Sequence, residues 1–495
     1  MNEIYLIGPI ILISVVLVSA FLDRWSVPVI LVALGAGILF GSDVLNIYDF
    51  SDVNLTNQMA NIALIFILFQ GGFSTSREDF KSVAFVAGGL ASWGVILTAL
   101  ATFLVLHFLL GWSYEKSLLL AVIVSSTDAA ATFSILRRQA LPSRLRSTAE
   151  IESAANDPMA ILLTLAAIQA LTVGETPWYL IALSFLWKFG AGIAIGWAMG
   201  RAAVWLFNQL RPKDRGHYYV LCLGVIFLVY GVGELARSSS MMAVFIAGFV
   251  MGNRPFVHKQ GVANFASALS TIADTSMFVL MGLLVNPRQW SSLWVEGIVL
   301  FLVLTFVSRP LAVWMGTAFM KVKRNDLLFL IWAGLRGAVP IILATYPLAS
   351  GMEVGQEIFN LVFFSVILSV AIQGSTLGAV AKWLNLSTPS RPRPLYNLEL
   401  ITMAPSDMDL IVVDLPDPQG APGPRISDLK LPPGSVITLI TRGEEVVIPK
   451  GSTQLQGWDQ VTVLAHAADE EAIRAAFLSE LAKATGTPAA TRPEH

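Results

Sequence analysis

Apolar runs of about twenty residues, each bounded by charge or by Pro and Gly, recur from the N-terminus to residue 385. A helix of that length crosses a hydrocarbon core. Thirteen spans are expected, over 4–21, 27–41, 55–74, 83–110, 116–137, 148–173, 178–210, 218–236, 241–253, 262–286, 292–320, 325–349 and 356–385. The loops between them alternate in charge. One set carries Arg24, Arg77, Lys81, Arg137, Arg138, Arg144, Arg146, Arg211, Lys213, Arg215, Arg254, Lys259, Lys321, Lys323 and Arg324; the other carries only Lys116, Arg237 and Arg288. This bias predicts an odd number of spans, an external N-terminus and a cytoplasmic C-terminus. After Lys382 the period changes. Strand-length runs follow at Leu398–Met403, Leu410–Asp414, Val436–Thr441, Glu445–Ile448 and Gln460–Leu464, with turn residues such as Pro432-Pro433-Gly434 between them. Residues 469–483 predict a short amphipathic helix.

Composition agrees with this pattern. Of 495 residues, 55% are hydrophobic and 13% charged, with a mean hydropathy of +0.68. A soluble domain carries about 25% charged residues. The chain is therefore expected to be an all-α polytopic membrane protein followed by a small α+β cytoplasmic domain. The expected divisions are 1–385, a basic Pro-rich linker 386–397, the domain 398–483 and a disordered tail 484–495. A net charge of −2 argues against a nucleic-acid partner, and the single Cys222 excludes an internal disulfide. The first apolar run lacks a basic flank, so it is expected to be retained as a helix.

The polar residues inside the spans carry the chemistry. Glu150 to Pro158 reads Glu-Ile-Glu-Ser-Ala-Ala-Asn-Asp-Pro and opens an apolar run. An ionisable group in a bilayer costs several kcal/mol, from about 2.5 upward. On a helix Ser153 and Asp157 share a face, as do Glu152 and Asn156. Pro158 has no N–H, which frees the carbonyl of Ala154. The result is an oxygen-rich lining suited to a hard monovalent cation or a proton.

Two spans are interrupted, the fifth by Ser125-Ser126-Thr127-Asp128 and the twelfth by Gly334-Leu335-Arg336-Gly337-Ala338-Val339-Pro340. Discontinuous helices seven spans apart predict inverted repeats with a site at the midplane. Breaks expose the charged ends of helix dipoles; Asp128 suits the positive end and Arg336 the negative end. Arg336 also needs a partner, expected to be Glu152, which leaves Asp157 as the free titratable carboxylate. Gln70, before Gly71-Gly72, suits either the site or a helix contact. Asp274, with Ser270 and Ser276 nearby, is expected to serve a helix contact, with the ion path as the alternative.

Thr127-Asp128, Glu152-Ser153 with Asn156-Asp157, and Gly334-Leu335-Arg336-Gly337-Ala338-Val339-Pro340 together resemble the monovalent cation:proton antiporter-1 family, bacterial NhaP type, over about residues 1–385. The longer strings look closest to its potassium/proton subgroup. Residues 398–480 are similar to the C-terminal module of RCK/TrkA potassium-transport regulators. The resemblance implies a homodimer in the cell inner membrane, with a dimerisation domain and a six-helix core in which two broken helices cross. It implies that Asp157 binds ion and proton and that Ser153 and Thr127 supply further ligands. Asn156 then marks an electroneutral exchanger, and Glu152 with Arg336 form a structural ion pair. Gln70 stands where the family usually has an acid. The expected function is electroneutral K+/H+ antiport by alternating access, serving K+ and pH homeostasis and cell-volume control. Alternatives are Na+/H+ antiport, a gated channel and a non-transporting sensor. No enzyme activity, cofactor or resident metal is expected; the partners are K+ or Na+, H+, lipid and, by analogy at the tail, a nucleotide such as cyclic di-AMP.

Overall fold

The computed structural model describes residues 2–22, 28–41, 45, 52–77, 83, 86–128, 132, 136, 141–172, 177–210, 214–285, 290–318, 320, 322–386, 408–415, 423–443, 445–466 and 469–485. The chain divides into two compact units. One comprises Met1–Leu206, Asp214–Pro255 and Val262–Thr388; the other comprises Phe207–Lys213, Phe256–Gly261 and Pro389–His495.

The first unit is helical. Its elements are α1 (Asn2–Leu22), α2 (Val29–Phe40), α3 (Val53–Ser74), α4 (Val86–Leu109), α5 (Tyr114–Ile123), α6 (Ser143–Thr172) and α7 (Trp178–Gln209). They continue with α8 (Gly216–Leu235), α9 (Ser240–Gly252), α10 (Lys259–Leu284), α11 (Ser292–Gly316), α12 (Arg324–Trp332), α13 (Ala338–Ala349) and α14 (Gly355–Trp383). Each apolar run read from the sequence contains a described helix. Among the described residues, seven helices are long and apolar enough to cross a membrane.

Capping side chains start several helices. Asp52 accepts from Leu55 N–H at 2.9 Å, and Ser239 accepts from Met242 N–H at 3.3 Å. Helices α3 and α9 pack backbone to backbone. A Cβ at Gly72 would strike the Phe245 carbonyl, and one at Gly248 would strike that of Phe69. Small residues permit such approach where apolar driving force between helices is weak. Lys116, expected in a loop, is buried. Its Nζ donates to Glu357 Oε1 at 2.6 Å and pairs with Glu296, which ties α5 to α14 and α11. Single π turns interrupt α11 at Leu304–Ser308 and α14 at Ser369–Gly374. Such turns re-aim side chains and often mark functional positions; here they set Arg309, Ser369 and Gln373.

The C-terminal segment forms a four-stranded antiparallel sheet in the order β1-β4-β2-β3. Its strands are β1 (Met408–Asp414), β2 (Val436–Arg442), β3 (Glu445–Val447) and β4 (Gln460–His466), followed by α15 (Glu470–Thr485). Alternate strand residues Ile411, Val413, Val461 and Val463 join Ile440, Leu455, Ile473 and Phe477 in its core. Gly434, at φ +84°, supplies the left-handed turn before β2. The strand expected at Leu398–Met403 lies outside the described residues, as do 387–397 of the expected linker and 486–495 of the expected tail.

Candidate functional site

Two interruptions meet in the helical unit. The first follows α5, where the backbone leaves the helix over Val124–Asp128 and is helical again at Thr132, whose N–H donates to the Asp128 carbonyl at 3.1 Å. The second separates α12 from α13 over Ala333–Gly337. The two unwound strands bond directly: Asp128 N–H donates to the Leu335 carbonyl at 2.8 Å.

Their charges sit at the ends they compensate. Asp128 Oδ2 accepts from Ala338 N–H at 2.5 Å, at the amino end of α13. Arg336 donates to the Ser125 carbonyl at 2.9 Å and to that of Ser126, at the carboxyl end of α5. Each break thus supplies the counter-charge for the other. Gly337 allows this closeness, because a Cβ there would overlap the Asp128 carboxylate. The π turn of α14 fixes the second break: Ser369 accepts from Arg336 N–H at 3.0 Å and donates to Gln373 Oε1 at 2.6 Å.

Helix α6 lies against the first break. Ser153 Oγ is 2.9 Å from Thr127 Oγ1 and 3.3 Å from Thr132 Oγ1. Asn156 spends both ends of its amide on Thr127: Nδ2 donates to the hydroxyl at 2.6 Å, and Oδ1 accepts from the backbone N–H at 3.3 Å. Asp157, one residue on, is fully buried, and no described atom hydrogen-bonds either of its oxygens. Asp128 acts on it electrostatically. A bare carboxylate there must be neutralised by a proton or a cation. Gln70 Oε1 is likewise buried without a described partner, on a helix that packs against α6 where Gly71 faces Ala154. The structure therefore brings Asp157, Ser153, Thr127, Asn156 and Asp128 together, with Gln70 on the adjoining helix.

One expectation is corrected. Glu152 pairs with Arg309, and Arg336 pairs with backbone carbonyls. Arg309 Nη1 meets Glu152 Oε1 at 2.5 Å and Nη2 meets Oε2 at 3.0 Å, while Nη2 also donates to the Leu330 carbonyl at 3.0 Å. All three side chains are buried. A guanidinium presents five donors in a fixed fork that matches a carboxylate bidentately, and Arg309 takes that geometry. Arg336 needs no acid, because the unwound end of α5 offers unpaired carbonyls. Sequence reasoning missed Arg309. Its signal was present: a charge in the middle of the 292–320 run, just before Pro310, needs a buried partner as much as Arg336 does.

Residues 10–383 match the family described as sodium/hydrogen exchanger, transmembrane, and residues 410–478 match the TrkA-C domain. The chain is 32% identical over 479 residues to the K(+)/H(+) antiporter NhaP2 of Shewanella sp. (strain ANA-3), covering 96% of this chain and 83% of that one. It is 31% identical over 487 residues to the K(+)/H(+) antiporter NhaP of Alkalimonas amylolytica, covering 98% and 84%. The Na(+)/H(+) antiporter NhaH of Halobacillus aidingensis is 28% identical over 312 residues, covering 60% and 76%. In fold, the chain resembles the sodium proton antiporter MjNhaP1 of Methanocaldococcus jannaschii at TM-score 0.68 and 22% identity, over 77% of this chain and 99% of the other. The chain belongs to the sodium/hydrogen exchanger family of membrane-spanning cation/proton antiporters and carries a C-terminal TrkA-C domain.

Proposed function

We propose that the protein exchanges K+ for H+ electroneutrally, one for one, at Asp157. The buried Asp157 carboxylate, which has no hydrogen-bond partner among the described residues, carries this reading. Such a group is neutral only when it holds a proton or a monovalent cation, so the two ions compete for it. Ser153 and the Thr127 region supply further oxygen ligands, and Gln70 adds an uncharged one. Asn156 fixes Thr127 and brings no second charge, so one cation leaves for each proton entering. Asp128 and Arg336 keep the crossing neutral, and the core alternates the site between faces. K+ is favoured by the relatives NhaP2 and NhaP, which are named for K+/H+ exchange over nearly the whole of this chain. The Na+/H+ reading rests on the shorter match to NhaH.

The same reading assigns residues 1–385 to transport and 398–483 to regulation. It places a homodimer in the cell inner membrane with a periplasmic N-terminus and a nucleotide ligand on the tail, in service of K+ and pH homeostasis. Flux in proteoliposomes tests it, with K+, Na+ and membrane potential varied independently. K+-driven proton movement that is indifferent to an imposed potential is the expected result. Exchange driven by potential overturns the one-for-one stoichiometry, and a larger rate with Na+ overturns the selectivity.

A further inference from the structure

Helix α3 meets its neighbours in two unlike ways. Toward α9 the contact is backbone on backbone, at Gly72, Gly248 and Gly252. Helix α9 meets α7 in the same manner, where Gly192, Gly196 and Gly200 leave no room for a Cβ beside the Ser239, Ala243 and Ala247 carbonyls. Toward α13 no glycine allows such an approach: α13 contains none, and α3 contains none before Gly71. Polar side chains make that contact instead. Tyr346 Oη donates to Asn61 Oδ1 at 2.6 Å, and Asn61 Nδ2 donates to Asn57 Oδ1 at 2.7 Å. Asn57 Nδ2 donates to Thr345 Oγ1 at 2.8 Å, and Thr345 Oγ1 donates to the Ile342 carbonyl at 2.7 Å. The chain of donors leaves α13, crosses to α3 and returns to α13. Asn57 and Asn61 are one turn apart, so α3 offers both on one face. All the bonds run in the same sense, and a directed chain of this kind reinforces itself.

The position and the strength of this ring fit a closure. Helix α13 begins at the crossing with Ala338, and Thr345 lies seven residues on, about 10 Å along the axis. Asn61 lies nine residues before Gln70, about 14 Å. The ring is thus displaced from the crossing toward one face, at the amino end of α3, which the proposed orientation assigns to the periplasm. A carboxylate that serves both faces must open to that one during part of each cycle. A seam packed backbone on backbone cannot part without losing its core contacts. Hydrogen bonds between side chains can be exchanged for bonds to water at small net cost. We propose that the Tyr346–Asn61–Asn57–Thr345 ring is a clasp between α3 and α13 that shuts this face of the protein and is broken and remade in each exchange cycle. The proposal rests on the reading of Asp157 as a site open to the two faces in turn.

Cysteine labelling and cross-bridging test it together. Cys222 is the single cysteine and is buried, so Cys222→Ala gives a silent background. Leu64 is fully buried and lies one turn below Asn61 on the same stripe of α3, so Leu64→Cys reports opening beneath the ring. Its reaction with a membrane-impermeant methanethiosulfonate is timed in sealed vesicles of either orientation. Tyr346→Phe and Asn61→Leu keep the size of the side chain and remove its part in the ring. Each is expected to speed labelling from the face at the amino end of α3 about three- to tenfold, the effect of losing one net hydrogen bond, with no increase from the opposite face. A rate unchanged by both substitutions, or raised equally from both faces, overturns the clasp. In the second arm Asn57→Cys and Thr345→Cys are joined across the seam by a short bifunctional methanethiosulfonate. Exchange should stop while the bridge is in place and return when it is reduced. Undiminished exchange by the bridged protein overturns the proposal, because the seam would then never need to open. Labelling does not depend on exchange, so an Asp157→Asn variant that still exchanged would sink the reading of Asp157 and leave the labelling result standing.

Discussion

Glu152 and Asp157 stand five residues apart on one helix, and both are buried to within 1%. They differ in what they touch. Glu152 is gripped at both oxygens by Arg309, whereas Asp157 has no described partner. A buried ion pair in good geometry is cheap to keep and costly to halve. A buried carboxylate without a partner is costly until something mobile neutralises it. The contrast separates a charge that holds the core together from a charge left free for exchange. It also shows that burial alone does not identify a working residue.

The strongest way to break that contrast is to remove each charge in turn. Asp157→Asn should lower exchange by about a hundredfold or more, with no loss of thermal stability in detergent, because it relieves a buried charge. Glu152→Gln should do the reverse. It leaves Arg309 uncompensated, at a cost of about 3–5 kcal/mol, read as a lower melting temperature and a lower folded yield. The pair Glu152→Leu with Arg309→Met should regain most of that stability, since apolar replacement of a whole buried pair is often neutral. Wild-type melting in Glu152→Gln, or a destabilised Asp157→Asn, would reverse the two roles. At the crossing, Gly337→Ala forces a methyl group against the Asp128 carboxylate. Overpacking of this kind costs about 1–3 kcal/mol, and slower exchange should accompany the lower melting temperature. Wild-type values for both would mean that the Asp128–Ala338 contact is dispensable.

Much of this arrangement was legible in the chain. The apolar runs have one physical explanation each, and Ser125–Asp128 and Gly334–Gly337 cannot sit in unbroken lipid-facing helix. The partners were harder to read. Glu152 was matched to Arg336 in the broken twelfth span, and Arg309, inside an apolar run without a recognisable motif, went unread. Arg336 is satisfied by backbone carbonyls, which every residue carries, so no sequence pattern announces them. Ser369 and Gln373 reach the second break through a π turn, a feature without a residue signature. Asn156 has the composition of an ion ligand, yet its amide is used to hold Thr127.

The smallest expected effect lies in the C-terminal domain, where a paired charge should matter only locally. Arg442 binds Asp459 through Nε and Nη2, both at 2.8 Å, and Asp459 is fully buried. Arg442→Ala removes the counter-charge and leaves Asp459 Oδ1 without its donor, although Oδ2 still accepts from Gln456 N–H at 2.9 Å. The cost is about 1–3 kcal/mol for a buried group left partly unsatisfied. Faster amide hydrogen exchange in β2 and β4 of the full chain should report it, with K+/H+ exchange still present. The hydrogen bond to Asp459 holds the Arg442 guanidinium above its already high ordinary value. A cation raised on folding stabilises in full below its unfolded value and loses that contribution only as pH climbs through the folded one. The deficit of Arg442→Ala should therefore be equal at pH 6 and pH 9. A deficit that fades at pH 9 would assign the stabilisation to another group.

The claim that proton and cation share Asp157 is tested most directly by the apparent KM for K+ in proteoliposomes, measured as pH is lowered with both faces held at the same pH. On the acidic limb the KM should rise about tenfold for each pH unit, as one proton displaces one cation, with an unchanged maximal rate at saturating K+. Raising K+ should accordingly move the acidic limb to lower pH. A KM that stays constant across that limb while the maximal rate falls would show that proton and cation occupy different groups, and would contradict exchange at a single carboxylate.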